Sequence, residues 1–107
     1  MTKERDVKNA LRKYLSEIRA YQYWPVPTGY GATTIDVLIC YQGRFYGVET
    51  KRPGVKKPTA RQHSVLDHIA TAGGGICVEN SIGLETVKAM LNRRVGDHYV
   101  ATGETWA

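Results

Sequence analysis

The sequence predicts an α/β fold, a mixed sheet flanked by helices, and three observations lead there. The first twenty residues repeat apolar side chains at helical spacing. Residues 33–51 alternate like the two strands of a hairpin, and residues 59–94 run helix, strand, helix. Elements in this order bury a sheet beneath helices. With 107 residues, 42% of them hydrophobic, residues 1–107 make one domain with a modest core.

Each element has its own signal. Over residues 2–20, Val7, Ala10, Leu11, Tyr14, Leu15 and Ile18 fall at i, i+3, i+4 and i+7, ringed by Lys3, Arg5, Lys8, Arg12, Lys13 and Arg19. Thr2 is the expected N-cap. Residues 21–26 predict a short strand, which Pro25 and Pro27 limit to an edge or a distorted strand. The glycines of "PTGYG" mark a loop. "TTIDVLICY" and "RFYGVETK" form a hairpin turning at Gln42-Gly43. "RPGVKKP" is a basic loop. Residues 59–72 predict a helix with Val65, Leu66, Ile69 and Ala70 on one face, ended by the glycines at 73–75. "ICVE" reads as a buried strand. Ser81 then caps a third helix that carries Leu84, Val87 and Leu91 to about Arg94. The tail at 94–107 shows little pattern beyond a candidate strand at 99–101.

The net charge of +5 and pI near 9.4 favour an anionic partner, nucleic acid before an acidic membrane surface. No apolar run approaches the roughly 20 residues of a membrane span, and the first residues lack the apolar core of a signal peptide. The expectation is a soluble, cytoplasmic protein. Cys40 and Cys77 lie in apolar runs and read as buried free thiols, at a spacing that matches no zinc pattern.

A polar constellation emerges from the hairpin register. With Gln42 and Gly43 in the turn, Tyr41 pairs with Arg44 and Asp36 falls opposite Glu49. Facing carboxylates weaken a sheet, and a hard cation bound between them relieves that cost. Lys51 shares the Glu49 face, and Thr50 between them faces away. The same residues also fit a solvated face on which Lys51 is an ordinary surface ion pair. Glu4 lies within roughly 20° of Leu11 around its helix and so extends the apolar stripe. It fits both a carboxylate aimed at the site and a first-turn acid on the helix dipole. Gln62 extends the stripe of its own helix, and also completes a Thr59-x-x-Gln62 capping box. Lys8, Arg52, Lys56, Lys57 and Arg61 surround these groups as candidate phosphate contacts. His63, His68 and His98 share no compact motif. Tyr21, Tyr23, Trp24 and Tyr30 suit base stacking as well as core or interface.

Asp36 followed by Glu49-Thr50-Lys51 resembles the PD-(D/E)XK nuclease signature. More narrowly, the chain is similar to the small stand-alone VRR-NUC nucleases of bacteriophages, through "TKERDVKNALRKYL", "YWPVPTGYG", "IDVLICYQGRFYGVETKRPG", "KPTARQ" and "TAGGG". The resemblance spans roughly residues 2–92. One departure is Ile35, where the family usually has proline; that position contributes backbone shape and no ligand atom. The resemblance implies a restriction-endonuclease-like αβββαβ core with a C-terminal helix. It implies Mg²⁺ or Mn²⁺ on Asp36, Glu49 and the Thr50 carbonyl, with Glu4 as a further candidate. Lys51 would stand by the attacking water, and Gln62 would position Lys51 or a phosphate. The DNA contacts would be Lys8, Arg52, Lys56, Lys57, Arg61 and Tyr30, in a homodimer or higher oligomer located in the host cytoplasm. The function expected is metal-dependent hydrolysis of DNA phosphodiester bonds, selective for branched or duplex structure. The alternative is a non-catalytic basic nucleic-acid-binding or assembly module on the same fold.

Overall fold

In chain order, helix α1 (Glu4–Glu17) precedes strands β1 (Tyr21–Tyr23), β2 (Val37–Tyr41) and β3 (Arg44–Thr50). Helix α2 (Ala60–Thr71), strand β4 (Gly75–Glu79) and helix α3 (Glu85–Leu91) follow. The structure, a computed structural model, describes residues 2–26 and 35–93. The Tyr30 loop, the candidate strand at 99–101, Arg94 and His98 lie outside them. The sheet order is β1-β2-β3-β4, antiparallel except for the parallel pair β3–β4. This is the expected mixed sheet flanked by helices.

The hairpin register is the expected one. Tyr41 pairs with Arg44, and the ladder runs to Val37 opposite Val48. Gln42 and Gly43 both take positive φ, 50° and 77°, as a two-residue turn matched to strand twist requires. Alternation then sorts the sheet's two faces. Val37, Ile39, Tyr46, Val48 and Cys77 pack with Leu11, Leu15 of α1 and Val87, Met90, Leu91 of α3. On the other face Ile35 and Ile76 pack with Leu66 of α2, flanked by Leu38, Val65 and Ile69. Gly47 gives room there: a Cβ would stand 2.5 Å from Ile35 Cδ1 and 2.7 Å from Ile69 Cδ1, so both isoleucine ends would have to shift. α2 therefore lies close upon β3.

Four expectations change. Lys3 replaces Thr2 at the α1 cap, where its amide donates to the Asp6 carboxylate at 2.8 Å. β1 stops at Tyr23, short of Pro25. Ser81 does not cap α3, which starts at Glu85 after Leu84 in the left-handed region (φ 55°). Instead the buried carboxylate of Glu79 accepts the Val87 amide at 2.9 Å and the Ser81 amide at 3.3 Å. Burial raises the Glu79 pKa against the lowering pull of those amides. Cys40 is exposed, because it lies on the α2-side face of the sheet beside exposed Tyr21 and Phe45, while Cys77 is buried; both are free. Among the described residues no helix is long and apolar enough to cross a membrane.

Candidate metal centre

The antiparallel β2–β3 pair brings the start of β2 beside the end of β3, where the ladder opens. Asp36, one residue before β2, turns its carboxylate across this opening. Its Oδ2 accepts the Thr50 amide at 2.9 Å and the Thr50 hydroxyl at 2.5 Å. The Asp36 amide in turn donates to Glu49 Oε1 at 3.1 Å. The Glu49 carboxylate is thus held by the Asp36 backbone, and the Asp36 carboxylate by Thr50, the residue after Glu49. Thr50 was expected to face away and lend only its backbone; instead its hydroxyl bonds Asp36, because the chain bends at Asp36 and leaves the pleat.

The flanking helices close the site. From α1, the Lys8 ammonium stands 3.4 Å from Glu4 Oε2 and 3.5 Å from Asp36 Oδ1. Lys51 stands 3.6 Å from Glu49 Oε2 and donates to Gln62 Oε1 at 3.0 Å. The same Gln62 oxygen accepts the Thr59 amide at 2.9 Å, and Thr59 Oγ1 accepts the Gln62 amide at 3.2 Å. Cap and site therefore coexist, and α2's capping box holds the lysine's partner. The Lys51 amide extends the parallel ladder to the Glu79 carbonyl at 2.9 Å, which fixes the backbone of the basic residue.

Glu49 is 2% exposed. Its pKa is raised to about 7, first by burial and then by the Asp36 charge, while Lys51 and the Asp36 amide pull it down and Glu4 adds a smaller push upward. A carboxyl in this position takes a proton or a cation near neutral pH. Among the described residues no three His, Cys, Asp or Glu side chains form a metal cluster. The donors the structure brings together are fewer: the carboxylate oxygens of Asp36 and Glu49. That set fits Mg²⁺ or Mn²⁺, which bind one or two carboxylates and keep several waters.

Glu4, Asp36, Glu49, Thr50, Lys51 and Gln62 thus come together as the sequence predicted. Lys8 joins them as a carboxylate partner, a role its i, i+4 spacing from Glu4 signals. Arg52, Lys56, Lys57 and Arg61 are exposed on the loop and the first turn of α2. That loop is tied to the end of β4 by Asn80 Nδ2 on the Val55 carbonyl at 3.1 Å. His63 pairs with Asp67 along α2. No family model, no curated protein and no solved structure matches the chain at a significant level.

Proposed function

We propose that the chain is a metal-dependent deoxyribonuclease that hydrolyses DNA phosphodiester bonds and reads shape more than sequence. The observation that carries this reading is the pair of carboxylates from neighbouring strand ends, one of them buried with its pKa near 7, beside a lysine held by Gln62. A pure binding module gains nothing from burying Glu49. A divalent ion, when bound, supplies Lewis acidity and a more acidic water. Asp36, Glu49 and the Thr50 carbonyl would hold it. Lys51 is placed to orient the attacking water or to stabilise charge developing on the phosphoryl oxygens. Gln62 keeps Lys51 there, and the exposed basic loop offers phosphate contacts. A homodimer would place two such centres on the two strands of a duplex or junction.

The test is a panel of linear, flapped and four-way DNA with Mg²⁺ or Mn²⁺. Wild type should cut at least one member, Asp36→Asn should cut none, and Lys51→Ala should fall by at least about 100-fold. Equal cutting by all three, or a wild type inert on every DNA, would remove the nuclease reading and favour the binding module.

A further inference from the structure

Three exposed aromatic side chains share a sheet face with Glu49. Alternation along β3 puts Phe45, Gly47 and Glu49 on the α2 side. Pairing carries that face across the sheet. Cys40 is opposite both Phe45 and Tyr21, and Leu38 is opposite both Gly47 and Tyr23. Tyr21, Cys40 and Phe45 therefore form one rung, with Tyr23, Leu38 and Gly47 as the next. Glu49 comes one rung further on, with Asp36 beside it one residue before β2.

α2 packs on β3 and β4, with Leu38 of β2 at the margin of its cluster, and no described residue covers the side chains beyond it toward β1. Tyr21 is 67% exposed, Tyr23 52% and Phe45 48%, and Cys40 is exposed beside them. On the opposite face β2 packs Ile39 into the core, with Tyr41 and, just after β1, Trp24 packed against it. An exposed apolar cluster of this kind marks a contact surface.

Its position selects the partner. Four residues separate Phe45 from Glu49, about 14 Å along the strand. A phosphate held at the carboxylates would lay the adjoining nucleotides along the aromatic rungs. Past Phe45 the face opens into a groove of about 520 Å³ between Arg44, His68 and the last turn of α2. The two rungs carry no acid, and the chain's +5 charge favours a polyanion over a second copy of itself. Aromatic rings on such a path stack on unpaired bases whatever their sequence.

We infer that Tyr21, Tyr23 and Phe45 form a stacking platform for unpaired nucleotides leading into the carboxylate pair. The substrate class is then DNA with a single-stranded arm, a flap or a splayed end. Only the point about cleavage rests on the nuclease reading; the platform does not.

The experiment measures fluorescence anisotropy of an oligonucleotide of about 16 nucleotides, single-stranded or as a blunt duplex, in EDTA. Tyr21→Ala/Tyr23→Ala should weaken single-strand binding about 10- to 100-fold and leave duplex binding unchanged. Tyr21→Phe/Tyr23→Phe should bind like wild type. Phe45→Ala repeats the test from β3 should the double variant fail to fold. Unchanged single-strand affinity, or equal loss on both DNAs, overturns the platform. So does a wild-type dimer that the tyrosine variant turns into a monomer with single-strand binding intact, which would give the face to a second copy. Tyrosine-dependent binding without any cleavage in Mg²⁺ supports the platform and removes the nuclease. Cleavage with tyrosine-independent binding does the reverse.

Discussion

Replacing Glu49 by glutamine should stabilise the metal-free protein at alkaline pH. In the folded chain the carboxyl is raised from 4.5 to about 7, first by burial and then by Asp36. Below about pH 4.5 it is protonated whether the chain is folded or unfolded, and it contributes nothing. Between about 4.5 and 7 the unfolded chain ionises while the folded one holds its proton, so stability falls as pH rises. Above about 7 both are ionised and the loss levels off. At about 1.4 kcal/mol for each tenfold change in the proton equilibrium, the loss is about 3 kcal/mol. Glu49→Gln keeps an acceptor for the Asp36 amide and carries no charge. It should therefore match wild type near pH 4.5 and exceed it by about 3 kcal/mol at pH 8.5, on the order of 10–20 °C in Tm. Urea and thermal unfolding in EDTA at both pH values measure this. An offset that is the same at both, or a variant less stable at pH 8.5, would refute the burial-and-repulsion argument.

Three further outcomes follow from the contacts. Lys8→Met removes a tethered cation from Asp36 and Glu4; because Lys8 is part-exposed, calorimetry should show Mn²⁺ binding only about 2- to 5-fold tighter, and weaker binding would contradict this role. Thr59→Ala should cost about 1 kcal/mol by loss of the α2 cap. By loosening the helix turn that carries Gln62, while the residue-59 amide still bonds its side chain, it should lower the kcat of the proposed cleavage more than it raises KM, with Thr59→Ser restoring both. Gly47→Ala would drive a methyl into the buried Ile35 and the Ile69 side chain, at about 1–3 kcal/mol in chemical denaturation. The shift of Ile35 would also displace the adjoining Asp36 and weaken metal binding.

The fold was legible where local signals agreed. The stripe Val7–Leu11–Leu15 and the Gln42-Gly43 turn each carry one periodicity and one physical solution, and both took the expected form. That turn set the register and so brought Asp36 to Glu49 before any tertiary contact was considered. Glu4 and Gln62 were legible as polar groups continuing apolar stripes. The failures have local causes. Ser81 looks like a cap, but a carboxylate two residues earlier, Glu79, takes the α3 amides from within the core. Cys40 sits in an apolar run, but which half of a sheet face a helix covers is a matter of tertiary packing. The Thr50 hydroxyl on Asp36 needs the chain to leave the pleat at a single residue, and strand alternation carries no mark of that.

Whether Asp36 and Glu49 hold a divalent ion is decided most directly by titrating Mn²⁺ into the wild-type protein and into Asp36→Asn at neutral pH, with heat as the signal. Wild type should show saturable binding, and Asp36→Asn, folded by circular dichroism, should show none. Saturable binding of equal strength in both proteins would contradict a metal centre at the open end of the β2–β3 ladder.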